Sequence, residues 1–318
     1  MNNKLQNNPN FFRTDASDSR MYQHLYLRGN FQSDMFFDKV DMINVWNRLW
    51  LSAEATGVQI LSVEILNSHL HLTGIVRSEK QRADFKHHFR LSITQYHNRR
   101  YNVHGTLGTR TLKHANLKDE EDIKDCVCYH LRNVLHHGIT SNILDYPYST
   151  VRFVFDLALK SQKGYYTRET LPDNLARAYL PARDRLPKGW MMTSEGLIVP
   201  PEGIFRKDLV ESLFANSRDI YLETLTHRTT RESADTNDGL RTDASHSRLY
   251  QTPDEKVVEF VKENSRVPIP AMNEGQKMSV IYQILEKFPK ANRRLLSRIF
   301  GIPNTTLAYR LKRLYRRE

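Results

Sequence analysis

A chain of 318 residues is long enough for one substantial domain with appendages, or for two. Its formal charge of +11 and pI near 9.5 point to a polyanionic partner, nucleic acid above all, and ten Lys/Arg against Glu286 and Glu318 give the stretch from Met278 to Glu318 +8 of that charge. There is no run of about eighteen apolar residues and no basic-then-apolar leader, which predicts neither a membrane span nor a signal peptide. Residues 1–20, polar and Asn-rich, read as a loose N-terminal segment. Tyr22 to Arg28 alternates as a first strand ended by Gly29-Asn30, and Asp38 to Ala55 places Val40, Ile43, Trp46, Leu49 and Trp50 at helical spacing before Gly57. Val58 to Leu66 and His69 to Val76 read as a hairpin turning at Asn67-Ser68.

The second arm of that hairpin carries His69 and His71. Side chains two apart on a strand leave by one face, so the pair makes half of a metal site; the bland alternative is two histidines hydrogen-bonded on a half-buried sheet. Gln81 to Asn98 reads as a second helix with Phe85, Phe89, Ile93 and Tyr96 on one side. Its other side and the following segment hold Arg82, Lys86, Arg90, Arg99, Arg100, Arg110 and Lys113, enough to follow a phosphate backbone, although a solvated face would look the same. A third helix follows the acids Asp119 to Asp122 and runs to His137, stopping at Gly138. On it Tyr129 and Asn133 stand at i and i+4, a nucleophile beside an oxygen ligand, whereas His130, His136 and His137 are expected to point elsewhere. Cys126 and Cys128 diverge at i and i+2, suiting neither a disulfide nor a zinc knuckle, and predict a reducing, cytoplasmic setting. The order predicts an α+β fold: an antiparallel sheet with helices on one face, ferredoxin-like, over residues 21–152.

These residues resemble the single-tyrosine HUH transposases, and within them the REP-associated tyrosine transposases. The resemblance rests on a Tyr22-x-His24 strand ending Arg28-Gly29-Asn30, Asn67-Ser68-His69-Leu70-His71-Leu72, Tyr96-His97-Asn98-Arg99-Arg100, Gly108-Thr109-Arg110, Tyr129-His130-Leu131-Arg132-Asn133, Gly138-Ile139 and Asp145-Tyr146-Pro147-Tyr148-Ser149-Thr150, in the family's order over roughly residues 20–152. It implies a Mg²⁺ or Mn²⁺ ion held by His69, His71 and Asn133, and Tyr129 as a nucleophile that cuts hairpin-bearing single-stranded DNA and leaves a 5′-phosphotyrosyl link; family members commonly form homodimers. Leu66-Asn67-Ser68-His69 departs from the family's Met-Pro-Asn-His, and Asn133-Val134 from its Asn-Pro, without removing a ligand. No ATP-binding loop of the Walker type is present, nor does this chemistry need one.

Residues 153–225, with Leu171-Pro172, Leu180-Pro181, Leu186-Pro187 and Pro200-Pro201, resemble the family's extension, and 226–270 reads as a linker. Within it, Arg241 to Gln251 repeats Arg13 to Gln23 with nine of eleven residues identical, which reads either as two copies contacting equivalent surfaces or each other, or as a duplicated scrap of coding sequence. Residues 271–318 read as a basic helix-turn-helix: Met278 to Phe288, Asn292 to Phe300, a turn at Gly301-Ile302-Pro303, and Asn304 capping Thr305 to Tyr315. Arg293, Arg294, Arg298, Thr305, Thr306, Tyr309, Arg310, Lys312 and Arg313 would contact duplex DNA; a basic helical hairpin used for packing or RNA is the alternative. For the whole chain, the rival to a transposase is a domesticated regulator that grips DNA without cutting it.

Overall fold

The computed structural model describes residues 20–29, 34–108, 112–136, 139–157, 164–181, 186–226, 254–289 and 291–314. The first segment, Arg110, Gly138 and the second copy of the repeat lie outside the described residues, apart from Arg20 and the start of the first strand. No helix among the described residues is long and apolar enough to cross a membrane.

The N-terminal unit runs β1 (Met21–Arg28), α1 (Lys39–Thr56), β2 (Gln59–Ile65), β3 (His69–Val76), α2 (Glu79–Tyr101), β4 (Lys113–Asn116) and α3 (Glu120–His136). The four strands form one antiparallel sheet in the order β2-β3-β1-β4, the βαββαβ ferredoxin-like arrangement. Strand alternation sorts the two faces. Leu25, Leu27, Leu70 and Leu72 are at most 1% exposed and form the apolar face, where each buried side chain contributes roughly 1.5–3 kcal/mol relative to exposure. The opposite face carries His24, Tyr26, His69, His71 and Thr73, aligned by the registers Tyr26↔His71 and His24↔Thr73. Helix α3 packs on this second, polar face, over β2 and β3, with Thr73 Oγ1 3.5 Å from Cys126 Sγ. The sheet therefore has a helix on its polar side as well, and that helix is the one bearing Tyr129.

The boundaries have local causes. Asp38 caps α1 through the N–H groups of Val40 and Asp41, and Gly57 ends it in the left-handed region at φ 68°. Helix α2 outruns its apolar pattern by a turn because Arg100 and Tyr101 are anchored on α1: Arg100 binds Asp41 at 2.6 Å and Asp38 at 2.7 Å, and the Tyr96 and Tyr101 hydroxyls donate to Asp41. Strand β4 has no apolar alternation to announce it; all four residues are exposed, and it forms the open edge. The other edge is covered. Ile65 N donates to Tyr148 O, Val63 N to Thr150 Oγ1, and Ile60 N to Ile204 O, so the Asp-Tyr-Pro-Tyr-Ser-Thr segment and residues 204–206 close β2.

The rest of the first unit wraps this sandwich. A two-stranded pair, β5 (Tyr165–Tyr166) and β6 (Met192–Thr193), with the helices α4 (Asp173–Tyr179), α5 (Lys207–Leu213) and α6 (Arg218–Thr226), shares one hydrophobic core with the sheet. Buried Asn47 stitches it down, donating to the carbonyls of Tyr179 and Gly196 and accepting from Ile198 N.

A second core contains α7 (Asp254–Asn264), α8 (Glu274–Lys287), α9 (Arg293–Phe300) and α10 (Asn304–Leu314). Helix α7 falls inside the stretch expected to be linker; its Val257, Phe260 and Val261 are buried, so this unit begins before residue 271. Asp34 and Asp38 of the first unit meet Arg298 at 3.6 Å and Lys262 at 3.2 Å.

Candidate active site

Histidines 69 and 71 leave β3 by the polar face, half-buried, with ring centroids 5.1 Å apart. Opposite them α3 presents a stripe in which Cys126, His130 and Asn133 face the sheet, with Tyr129 flanking it. Asn133, 4% exposed, places Nδ2 2.8 Å from His69 Nε2, and the half-buried Tyr129 ring stands edge-on to His71 at 5.8 Å. Ser68 Oγ lies 2.9 Å from the other nitrogen of His69. One chain thus brings together all four residues singled out for metal and nucleophile.

Three further residues complete the cluster. The expectation that His130 points elsewhere fails: it is fully buried, with Nδ1 3.2 Å from Thr73 Oγ1 and 3.4 Å from Ser62 Oγ, and Nε2 3.4 Å from Cys126 Sγ. The i, i+4 spacing of Cys126 and His130 put both on the sheet-facing stripe, a signal the helical period contained. His24 Nε2 sits 3.0 Å from His71 Nδ1, and ligand atoms of His24, His71 and His130 lie within 4.8 Å of one another, a group that could hold a metal ion. His130 has both ring nitrogens beside Thr73, Ser62 and Cys126, and His24 fixes one nitrogen of His71. This arrangement orients the His71 ring.

The third residue is Glu64. It pairs directly across from His71 on β2 and is fully buried. Burial holds its carboxyl well above the usual range, although the Val134 backbone and the Asn133 side chain favour the ionised form; neither carboxylate oxygen completes a hydrogen bond. A buried acid opposite His71, near the Asn133 amide and with neither oxygen in a completed hydrogen bond, is a residue type that suits a divalent ion. Sequence alone offered only an acid in a β-rich run.

The basic residues divide. Arg82, Lys86 and Arg90 lie half-buried along one stripe of α2, with Lys86 Nζ 3.3 Å from His114 of β4. Burial, then Arg82 and Arg90, lowers the Lys86 pKa, and burial, then Lys86 and Arg82, lowers that of His114: positive charge here is crowded. Arg82 also pairs with Glu79. Lys113 points to the polar face, its ammonium 5.8 Å from the Tyr26 ring centroid. Arg99 is exposed, whereas Arg100 is held by Asp38 and Asp41 and is a tether between helices. In the second unit Arg294, Thr305, Tyr309 and Lys312 are exposed, and Thr306 is half-buried. Arg293 donates to Asn304, Arg310 pairs with Glu274 at 2.6 Å, and Arg298 meets Asp34; the Arg313 side chain lies outside the described residues.

Compared with family models and with curated proteins, the chain matches none. Among solved structures it is similar to one described as a REP-associated tyrosine transposase bound to a REP hairpin, at 15% identity and a TM-score of 0.35, over 49% of this chain and 83% of that one.

Proposed function

We propose that the chain is a divalent-metal-dependent nuclease and strand transferase acting on hairpin-bearing single-stranded DNA, with Tyr129 as its nucleophile. The observation that carries this reading is the contact of Asn133 with His69 at 2.8 Å, one turn from a tyrosine whose ring lies 5.8 Å from His71. His69, His71 and Asn133 would hold Mg²⁺ or Mn²⁺. Bound there, the ion would neutralise charge on the scissile phosphate and align it with the attacking oxygen.

A phenol with an ordinary pKa near 10 is a weak nucleophile at neutral pH, so its position has to compensate. Tyr129 gains that from the helix, which fixes the ring edge-on to His71. Its hydroxyl oxygen bonds to phosphorus as its proton passes to solvent. The phosphorus bond to the 3′ oxygen breaks, and that oxygen takes up a proton and departs as a 3′-hydroxyl. A 5′-phosphotyrosyl ester remains, and attack on it by another 3′-hydroxyl joins the strands and returns the phenol, so bond energy is conserved. The exposed residues of α10, Thr305, Tyr309 and Lys312, would bring duplex DNA to the same molecule.

The test incubates the full chain and labelled hairpin-bearing single strands with Mn²⁺ and resolves the products on a denaturing gel. A protein-linked label is expected, lost in Tyr129→Phe and with a chelator. Binding without an adduct across many strands would favour the non-cutting regulator.

A further inference from the structure

We propose that Glu64 is a fourth protein ligand of this metal centre, supplying a charged oxygen from β2; the inference rests on the metal-centre reading above. The argument begins with what the carboxylate lacks. Glu64 is 0% exposed, and although the Val134 backbone and the Asn133 amide lie near it, neither Oε1 nor Oε2 completes a hydrogen bond, a costly state for an acidic side chain on a buried strand.

Register gives the direction. Glu64 stands opposite His71, so the two side chains leave by the same face, and Asn133, which touches His69, is also the side chain nearest to satisfying the carboxylate. Two imidazoles from β3, an amide from α3 and a carboxylate from β2 therefore lie on one face of the sheet. The β2 edge is pinned on both sides of Glu64 by Ile65 N to Tyr148 O and Val63 N to Thr150 Oγ1, so the acid has little freedom to turn away. Adding a hard anionic oxygen to two histidines shifts the site toward Mg²⁺ and Mn²⁺ and away from softer ions, and lowers the net charge of the loaded centre by one.

The test measures Mn²⁺ binding to the full chain by calorimetry and by loss of the free-ion electron paramagnetic resonance signal, without DNA. Glu64→Gln keeps the shape and removes the charge; about 10- to 100-fold weaker Mn²⁺ binding is expected, with His69→Ala as the control for the centre. Glu64→Asp, which keeps the charge and shortens the arm, should also bind more weakly, and serves if circular dichroism shows the glutamine variant unfolded. Wild-type affinity in Glu64→Gln while His69→Ala loses the ion would overturn the role of Glu64 and leave the nuclease reading standing. Weakened binding in both Glu64 variants, with no phosphotyrosyl adduct from the wild-type chain, would uphold the ligand and sink the nuclease. A wild-type chain that binds no Mn²⁺ overturns both.

Discussion

Asp41 is one side chain on which three others depend. It is 1% exposed and accepts from the Phe37 backbone, the Tyr96 and Tyr101 hydroxyls and the Arg100 guanidinium, all between 2.6 and 2.8 Å. Asp41→Asn leaves Arg100 with Asp38 as its remaining acid and weakens the bonds from Tyr96 and Tyr101, so it should cost about 1.5–3 kcal/mol, read as a lower urea midpoint with an unchanged slope. A midpoint within error of wild type would mean the network contributes nothing. The same residues mark what the sequence hid. Arg99 and Arg100 are neighbours in one basic motif, and only the fold separates the exposed cation from the tether, because Asp41 is 59 residues away in the chain. His69, His71, Tyr129 and Asn133 were legible since each pair obeys a local period of 2 or 4. Glu64 and His24 join them only through cross-strand and diagonal neighbours, information that no spacing along the chain contains.

At the scale of elements, the long amphipathic segments were legible and the short exposed one was not. Strand β4 is defined by pairing with β1 and buries nothing of its own, so no hydrophobic pattern could announce it. The C-terminal turn behaved oppositely, because its chemistry is local. Gly301 ends α9 at φ 63° and donates to the carbonyls of Ser297 and Arg298, while the buried Ser297 hydroxyl donates to Ile302 O at 2.5 Å. A β-branched residue disfavours that backbone, so Gly301→Val should destabilise the second unit by about 1–2 kcal/mol and change the angle at which α10 follows α9. Calorimetry of the full chain should show the loss, and duplex affinity should fall with it. If duplex affinity drops while stability stays, the turn acts by contact with DNA and not by geometry.

For the whole molecule, the proposed function raises the question of how a nucleic acid would cross it, since the α2 cations and the candidate site lie on different faces of one sheet. The Arg82, Lys86 and Arg90 stripe reaches β4 from the α2 side through His114, whereas Lys113, the next residue along β4, reaches Tyr26 on the histidine side. Alternation along the strand thus puts a cation on each face of the same open edge, and a single strand passing over β4 would meet first one and then the other. Each phosphate contact released should reduce the dependence of log K on log salt by about 0.7 for a single strand. Lys86→Ala and Lys113→Ala are therefore each expected to flatten the salt slope by about that amount, and the double variant by about twice as much, in fluorescence anisotropy titrations across a range of NaCl. Duplex binding through the exposed Tyr309 face of α10 should keep its slope in both, because those helices belong to the other core. A slope altered by Lys113 and not by Lys86 would confine the strand to the histidine face, and the basic stripe of α2 would then be a solvated surface.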